Sequence, residues 1–510
     1  MNAIAPLPVG EILDPLSLAD PALADQAFRT RGMSADLPSH VEIRPQPLVC
    51  DVASVDATDL LSAYADGALT PVEALADLHR RIEADNKGQG AVLRFASGWQ
   101  TAAEESAARW KSGQARPLEG LPFGVKDIID VDGTLTTSGS WFTGDRIAQT
   151  DADVVARLRQ AGAIPFAMLA TTEFACGSPH NPRFGTVGNP FDPSRWTGGS
   201  STGSGAVLAA RLMPFALGTD TGGSIRVPSC WCGTTGLKPS RELVSRKGVA
   251  PLSWTLDHVG PMTRSARDIA RVLPFMAASP DVDLIAGCMA LLAEADLTGL
   301  RIGVPVNWFT ELVDATVLDN WRAALEVLQS LGCTVKPLPV LPVETFHRDG
   351  WTVLLSELAA HQSERLPRAE LFDRGLLARL NQGITILAAD YGRALQRRKA
   401  AQDMFLDAMT DIDLLLTPGL GGEAGALDTL TVEVDGHAVL FQDIISRNTM
   451  IFDHTGFPAL MLPSGLGRSG LPTGIQIVGR PGADALCLKA GIAFQQATSH
   501  HLNAPAQRTS

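Results

Sequence analysis

Residues 197–239 read TGGSSTGSGAVLAARLMPFALGTDTGGSIRVPSCWCGTTGLKP. The stretch contains two turns rich in glycine, serine and threonine, Gly198–Gly205 and Gly218–Ser224, separated by the apolar segment Ala206–Leu217. Glycine clusters let the backbone turn several N–H groups toward one concave, anion-binding site. Because both turns carry serine, we expect a hydroxyl nucleophile beside a preformed oxyanion hole. Another part of the chain must then supply a base.

The composition is that of a globular protein with a large core, since 45% of the 510 residues are hydrophobic and 19% are charged. A net charge of −13 argues against nucleic acid or an anionic membrane surface as a partner. No apolar run is long enough to span a membrane, and the N-terminus lacks the basic region of a signal peptide. Seven cysteines are an odd and sparse set, which predicts reduced thiols in a cytoplasmic protein.

Apolar strands and helices alternate along most of the chain, which predicts an α/β fold with a sheet sandwiched by helices. The predicted strands are LPFGVKDII (121–129), AIPFAMLA (163–170), LRIGVPV (300–306), CTVKPLPV (333–340) and LPTGIQIVG (471–479). The predicted helices include Asp153–Gly162, Asp314–Leu331 and Ala483–Thr498. An earlier helix is predicted to begin at Thr70, because Thr70 and Glu73 form a capping box around a proline.

The domain organisation is predicted from composition shifts along the chain. Residues 1–50 are rich in proline, alanine and aspartate and indicate an N-terminal arm. Residues 51–500 are predicted to form a single domain, because no low-complexity linker divides them. Within it, residues from about 345 to 445 indicate a mostly helical, variable insertion, and residues 501–510 indicate a C-terminal tail.

Three other chemistries do not fit the glycine-rich stretch. A nucleotide-binding P-loop needs lysine, which neither turn contains, and a dinucleotide fingerprint needs glycine where Leu208 stands. Gly199–Gly203 matches a hydrolase elbow with Ser201 at its centre, but turns rather than a strand precede it. That chemistry also needs a histidine base, and neither His258 nor His454 has an obvious orienting carboxylate.

Lysine remains as the candidate base. Lys126 lies at the end of a predicted strand among Phe123, Val125 and Ile128. Burial among apolar side chains lowers the pKa of a lysine, and a neutral lysine acts as a general base near pH 7. A salt bridge from Lys126 to Asp127 is the alternative that composition leaves open.

Cys230-Trp231-Cys232 has the spacing of a fragment of a metal site. A zinc site would need a second cysteine pair or nearby histidines, and neither is present in the sequence around it. We therefore interpret this segment as apolar packing after the second turn and predict no metal and no cofactor.

The two turns and the upstream GVKD resemble the amidase signature family. Further motifs that carry the resemblance are TTSGS (136–140), TTEFACG (171–177), NPRFGTVGNP (181–190), WTLDHVGPMTRS (254–265) and GLPTGIQIVG (470–479). Together they cover roughly residues 55–275 and 445–498 in the family's order. The resemblance implies a three-layer α/β/α sandwich around a large, mixed, twisted central sheet.

The resemblance also implies a catalytic Ser–Ser–Lys triad. Ser224 matches the nucleophile, Ser200 the bridging serine and Lys126 the base. Ser201 matches an auxiliary serine that hydrogen-bonds around the triad, and the peptide bond between Gly199 and Ser200 is expected to be cis. The oxyanion hole is expected to consist of the backbone N–H groups of the turn, namely Thr221, Gly222, Gly223 and Ser224.

Other positions are expected to support the site or contact the substrate. Asp220 and Arg226 match positions that brace the nucleophile turn. Cys176, Gly177 and Gly199 are predicted to contact the substrate. The middle region suggests an apolar pocket through its aromatic residues, which are Trp308, Phe309, Trp351, Phe372 and Phe405. Thr202 and Asp453 depart from the usual Gly and Asn, so the substrate of a relative does not transfer to this chain.

The sequence therefore predicts an enzyme that hydrolyses the C–N bond of a carboxamide, or of a related carbamate or urea, through an acyl-enzyme on serine. One alternative is an amidotransferase A-type subunit that supplies ammonia from glutamine. Another is a catalytically silent binding protein on the same fold. The expected partner is a small amide substrate, and a homodimer is compatible with the resemblance.

Overall fold

One mixed sheet of eleven strands forms the centre of the protein in a computed structural model. The structure describes residue 52 and residues 55–85, 90–278, 282–291 and 296–506. The predicted N-terminal arm, residues 1–50, lies outside the described residues, as do residues 507–510 of the predicted tail. The predicted domain boundaries stay a prediction. The part of the tail that is described continues a short 3₁₀ turn, His500–Leu502.

The described strands, in chain order, are β1 (Val92–Phe95), β2 (Pro122–Lys126), β3 (Ile164–Leu169), β4 (Phe215–Asp220), β5 (Thr235–Lys238), β6 (His258–Thr263), β7 (Arg301–Val304), β8 (Thr334–Pro337), β9 (Leu414–Pro418), β10 (Thr431–Val434), β11 (His437–Leu440), β12 (Ala459–Leu466) and β13 (Pro472–Gly479). The order across the main sheet is β1-β3-β2-β4-β6-β5-β12-β13-β9-β7-β8, and β10 and β11 form a separate hairpin. β2 is parallel to β3 and β4, and β7 is parallel to β8 and β9. The other neighbours in the sheet are antiparallel.

The described α-helices, in chain order, are α1 (Ala57–Ala65), α2 (Pro71–Asp85), α3 (Trp99–Lys111), α4 (Asp153–Gln160), α5 (Thr202–Ala209), α6 (Arg226–Trp231), α7 (Ala266–Val272), α8 (Val282–Leu291), α9 (Ala315–Ser330), α10 (Val343–Gln362), α11 (Arg374–Gly383), α12 (Ala388–Ala408), α13 (Phe441–Ile444), α14 (Met450–Thr455) and α15 (Asp484–Ala497). Helices cover both sides of the sheet, so the predicted α/β sandwich is confirmed. No helix among the described residues is both long and apolar enough to cross a membrane.

The sequence signals that predicted individual elements correspond to real caps and strands. The Thr70 hydroxyl accepts the Glu73 N–H at 3.2 Å, and the Glu73 carboxylate accepts the Thr70 N–H at 2.9 Å, so the capping box starts α2. Asp314 caps α9 by accepting the N–H of Thr316 at 2.8 Å. The five predicted strands correspond to β2, β3, β7, β8 and β13.

The segment from about 345 to 445, predicted to be a mostly helical insertion, also contributes a strand to the main sheet. The last of the three helices α10, α11 and α12 ends at Ala408. Leu414–Pro418 then forms β9, a strand of the main sheet beside β13. A five-residue apolar run such as LLLTP does not distinguish a buried strand from a buried helix by periodicity. Its pairing with β13 and β7 decides for a strand.

The first glycine-rich turn is shorter than predicted. The backbone becomes helical at Thr202, so Thr202–Gly205 is the first part of α5 rather than the end of a turn. Every residue of α5 is buried. A helix without a polar face is stable only where it is buried, because none of its faces is suited to contact with water.

The topology brings the ends of two parallel strands to one edge of the sheet. Lys126 is the last residue of β2 and Asp220 is the last residue of β4. The carboxyl ends of parallel strands are where ligand sites of α/β sheets usually lie. The loop before α5 and the turn between β4 and α6 both reach this edge, so it is where a site is expected.

Candidate active site

A cleft of about 530 Å³, part of it open to solvent, lies at this edge of the sheet. Ser200 from the loop before α5 and Ser224 from the turn before α6 both line it. The structure therefore brings together the two serines that the sequence placed in separate turns.

Lys126 lies beneath Ser200 and is fully buried. Its Nζ donates to the Ser200 hydroxyl at 2.6 Å and to the Thr219 hydroxyl at 2.8 Å. Burial lowers the pKa of Lys126 to about 7, because the charged ammonium loses its hydration. A substantial fraction of the amine is therefore neutral at neutral pH, as a general base requires.

The alternative salt bridge between Lys126 and Asp127 does not form. Asp127 instead accepts from the Arg94 guanidinium at 2.6 Å and from the hydroxyl of Thr137. Asp127 is the first residue after β2, and its carboxylate is bound by these donors rather than by the amine of Lys126.

The loop that carries Ser200 is held on both sides. The peptide bond between Gly199 and Ser200 is cis. The Ser200 carbonyl accepts the Thr172 N–H at 3.2 Å. The Ser201 hydroxyl lies 3.3 Å from both the N–H and the carbonyl of Thr219, and the Ser201 N–H donates to the Ser224 carbonyl at 3.3 Å. Ser201 thus links the loop to the backbone on either side of the nucleophile turn.

The Ser224 hydroxyl faces the cleft without a hydrogen-bond partner among the described residues. No hydrogen bond joins it to Ser200 in this part of the chain, although both line the cleft. Catalytic hydrogen bonds often tighten only when substrate is bound. The partly exposed position leaves Ser224 accessible to a ligand in the cleft.

Three of the four predicted oxyanion donors are free. The N–H groups of Thr221, Gly222 and Ser224 have no acceptor among the described residues. The Gly223 N–H is different, because it donates to the Asp220 carboxylate at 2.5 Å. The prediction that Gly223 contributes to an oxyanion hole is therefore wrong in this geometry. The reason is local, since a φ of 134° at Gly223 turns its N–H toward the carboxylate behind it.

A buried ion-pair network braces this turn from behind, as predicted for Asp220 and Arg226. The Arg226 guanidinium donates to Asp220 at 3.0 Å and to Asp453 at 2.6 Å, and all three side chains are fully buried. Although burial acts to raise it, the Arg226 charge holds the pKa of Asp220 well below its ordinary value. Burial and the neighbouring Asp220 raise the pKa of Asp453 well above its ordinary value. The two carboxyl groups that share this guanidinium therefore have pKa values shifted in opposite directions.

His258, His454, Cys230 and Cys232 lie outside the cleft. His258 and His454 are buried, and burial lowers the pKa of both well below the ordinary value. Cys230 and Cys232 are buried free thiols whose pKa is raised by burial. No group of three or more His, Cys, Asp or Glu side chains among the described residues is arranged to hold a metal ion.

The walls of the cleft contain the three predicted contact residues, Cys176, Gly177 and Gly199. Of the five aromatic residues predicted for the pocket, only Trp351 lines it. Three others belong to a separate apolar cluster and Phe372 packs against Phe142, so the prediction for them is wrong. Large aromatic side chains are more often core than ligand contacts.

Many residues that line the cleft were not predicted from the sequence. They include Trp196, Leu252, Leu354, Arg379, Ile445, Ser446 and Met450. Arg379 is the one charged side chain among the described residues that line the cleft, and its guanidinium donates to the Cys176 carbonyl. An arginine on an amphipathic helix carries no sequence signal that separates it from a solvated surface residue.

Comparisons with known proteins cover nearly the whole chain. A family model described as Amidase matches residues 73–488. The A subunit of glutamyl-tRNA(Gln) amidotransferase from Psychrobacter sp. (strain PRwf-1) is 33% identical over 503 residues, which is 90% of this chain and 99% of that relative. A relative of the same name from Roseiflexus sp. (strain RS-1) is 32% identical over 491 residues, which is 88% of this chain and 97% of that relative.

Solved structures agree in fold. One belongs to a protein complex described as vestigial and as revealing the evolutionary origins of an s-triazine catabolic enzyme. It is 29% identical with a TM-score of 0.81, over 87% of this chain and 98% of that chain. The native peptide amidase of Stenotrophomonas maltophilia is 27% identical with a TM-score of 0.75, over 88% of this chain and 97% of that chain.

Proposed function

Because the chain belongs to the amidase signature family, we propose that it hydrolyses the C–N bond of a carboxamide through an acyl-enzyme on Ser224. The observation that carries this proposal is the hydrogen bond of 2.6 Å between the buried amine of Lys126 and Ser200, in a cleft that Ser224 also lines. A neutral buried lysine next to a hydroxyl is an activated base, and a serine within reach is its nucleophile.

In the acylation half-reaction, neutral Lys126 takes the proton of Ser200 while Ser200 takes the proton of Ser224. The Ser224 hydroxyl has no acceptor among the described residues, so no competing hydrogen bond has to be broken. Its oxygen attacks the amide carbonyl carbon, and the N–H groups of Thr221 and Gly222, which have no acceptor among the described residues, stabilise the oxyanion. The relay then returns the proton through Ser200 to the leaving nitrogen, and the C–N bond breaks.

In the deacylation half-reaction, water replaces Ser224 as the nucleophile. Its proton passes to Lys126 by way of Ser200, and its oxygen attacks the ester carbonyl. The bond between the acyl carbon and the Ser224 oxygen breaks, and that oxygen takes the proton back. The products are a carboxylic acid and ammonia or an amine, and the enzyme returns to its starting protonation state.

The test is reaction with a serine-directed fluorophosphonate, followed by mass spectrometry and by amide hydrolysis. Ser224→Ala is expected to abolish labelling and turnover. Ser204→Ala is the matched control, because the Ser204 hydroxyl donates to the Leu217 carbonyl at 3.0 Å and does not line the cleft. Labelling of Ser224→Ala at another serine would assign the nucleophile elsewhere, and unlabelled wild type would favour a silent binding protein.

Two observations favour a second, narrower function, the release of ammonia from glutamine for a partner protein. The curated relatives are named as the A subunit of glutamyl-tRNA(Gln) amidotransferase. In addition, Arg379 brings a guanidinium to a cleft whose other described lining side chains are uncharged. Glutamine carries a carboxylate that such a cation can bind. The helical segment thus supplies a polar contact that its sequence did not reveal.

A paired assay separates the two functions. Ammonia release is measured from glutamine and from an uncharged amide of similar length, for wild type and Arg379→Met. The narrower function predicts that wild type prefers glutamine and that Arg379→Met raises the KM for glutamine while leaving the uncharged amide unaffected. Equal hydrolysis of both amides, with no effect of Arg379→Met, would contradict the narrower function and favour a general amidase.

A further inference from the structure

The nucleophile turn is held at its two ends by different carboxylates. At the Gly223 end, Asp220 accepts the Gly223 N–H. At the Thr221 end, the Thr221 hydroxyl donates to Asp257 at 2.6 Å. Asp257 directly precedes β6, whose first residue, His258, pairs with Asp220 at the end of β4.

Asp257 is itself fixed by backbone donors. Its carboxylate accepts the N–H of Leu252 at 2.9 Å and that of Ser253 at 3.1 Å, in addition to the Thr221 hydroxyl. Leu252 lines the cleft, so the same carboxylate holds one wall residue and one end of the oxyanion turn. A carboxylate with three donors has a defined position, which it passes on to Thr221.

The link continues to the helical wall of the cleft. Ser253 donates through its hydroxyl to Glu357, and Thr255 donates to Glu357 through its N–H at 3.0 Å and its hydroxyl at 2.8 Å. Glu357 is fully buried on α10, the helix that also carries Trp351 and Leu354 into the cleft. The oxyanion turn is therefore tied through Asp257 to the wall that a substrate would touch.

We propose that Asp257 is a positioning residue for the hydrolysis, because it holds the Thr221 hydroxyl and so aims the free N–H groups of Thr221 and Gly222 at the developing oxyanion. The proposal rests on the proposed function. Asp257 acts through Thr221 and does not touch the substrate. Its role is to fix the donors in place before the charge develops, which is how an oxyanion hole lowers a barrier.

The charge state of Asp257 supplies an independent readout. Burial raises the pKa of Asp257 to about 6, against the hydrogen bonds from Thr221, Leu252 and Ser253. The charged or titratable groups that face it are Arg246, which favours the carboxylate, Lys126 and Cys176. Asp257 also lines a second cavity beside Arg246 and the exposed Pro251, which gives the carboxyl group a path for proton exchange with solvent.

The test separates the side chain of Thr221 from its backbone N–H. Thr221→Val removes the hydroxyl and keeps the N–H, Thr221→Ser keeps both, and Asp257→Asn removes the charge. We expect Thr221→Val and Asp257→Asn each to lower kcat roughly 10- to 100-fold with little change in KM, because misplaced donors act mainly on the transition state. Thr221→Ser is expected to restore most of kcat.

Two further readouts distinguish positioning from a loss of folding. The double variant is expected to be no slower than the worse single variant, because both changes break the same hydrogen bond. The acid limb of wild-type kcat is expected to steepen below about pH 6, where Asp257 protonates, and to keep a single-proton slope in Asp257→Asn. Thermal unfolding shows whether each variant is folded. If Asp257→Asn does not fold, the proposal is tested by Thr221→Val alone.

Wild-type kcat in Thr221→Val, or additive effects in the double variant, would overturn the proposal. Fluorophosphonate labelling in the same samples keeps it apart from the proposed function. If Ser224 is labelled while the Thr221 and Asp257 variants behave as wild type, only the positioning role fails. If Ser224→Ala retains activity, the proposed function itself fails.

Discussion

Two lysines among the described residues are fully buried, and burial lowers the pKa of both to about 7, yet their surroundings differ completely. Lys126 donates to the hydroxyls of Ser200 and Thr219 at the floor of the cleft. Lys238, at the end of β5, donates to the carbonyl of its own neighbour Pro239 at 2.8 Å and lies near the carboxyl groups of Asp453 and Asp484.

The difference teaches that a shifted pKa does not identify a base. Both amines are partly neutral at pH 7, but only Lys126 has a hydroxyl within hydrogen-bonding distance that also lines a cleft. Perturbed groups occur in structural networks as well as in active sites. Contact with the hydroxyl of Ser200 in the cleft, rather than burial, is what supports the proposed catalytic role of Lys126.

The largest expected effect comes from replacing each lysine by methionine, which has a similar length and no charge. Lys126→Met is expected to lower kcat by about 10²–10⁴-fold, the usual contribution of a general base. Lys238→Met is the matched control and is expected to keep kcat within a few-fold of wild type. Steady-state amide hydrolysis measures both. Equal losses of kcat in the two variants would contradict the proposal that Lys126, and not Lys238, is the base.

The second effect is the pH dependence of kcat/KM. The neutral amine of Lys126 is the active form, so activity is present above about pH 7 and is lost as the pH falls through the pKa of Lys126. From pH 7 down to about pH 6, each pH unit is expected to cost up to about tenfold in rate, and the loss is steeper below that, where Asp257 also protonates. The same acid limb is expected in Lys238→Met, although Lys238 has a similar pKa. A shift of this acid limb along the pH axis in Lys238→Met would indicate that Lys238 takes part in the reaction.

The smallest effect is on stability. An unfolded lysine has a pKa of about 10.4, whereas burial holds the pKa of Lys238 near 7. Between these values the unfolded chain binds an additional proton at Lys238, so the contribution of this lysine to wild-type stability is expected to rise with pH by up to about 1.4 kcal/mol per pH unit. Lys238→Met lacks this rise, so its free energy of unfolding relative to wild type is expected to fall from pH 7 to pH 10.

Urea unfolding at several pH values measures this relative stability. Lys126→Met is the comparison, because its lysine is buried to the same extent and is expected to show the same trend. The two variants would then agree in stability and differ in activity. If the difference in the free energy of unfolding between Lys238→Met and wild type does not change with pH, Lys238 gains no proton on unfolding.

Short-range signals in the sequence identified several of the regular elements. The capping box at Thr70 and Glu73 and the aspartate cap of α9 are local patterns, so they survive without knowledge of the fold. The strand β9 was missed, since Leu414–Pro418 is a buried run whose type is set by its partners in the sheet. Thr202 likewise begins a helix that the glycines around it do not signal.

The candidate site divides in the same way. Lys126 was predicted from its apolar flanking residues, and the roles of Ser200 and Ser224 were predicted from the resemblance to the amidase signature family. Arg379 was not found, since α11 reaches the cleft only through packing between helices distant in sequence from the two turns. Gly223 was assigned as an oxyanion donor from its place in the motif, and the direction of its N–H required the position of Asp220.

The sequence alone determined the chemical inventory of this protein: a lysine at a strand end, two serines in glycine-rich turns and the alternation that makes an α/β sheet. Only the tertiary structure decided which amine meets a hydroxyl, which backbone N–H groups stay free and which wall closes the cleft. The physical reason is range. Turn and cap preferences act over a few residues, whereas burial, pKa and hydrogen-bond partners depend on contacts such as that of Lys126 with Ser200, which lie 74 residues apart.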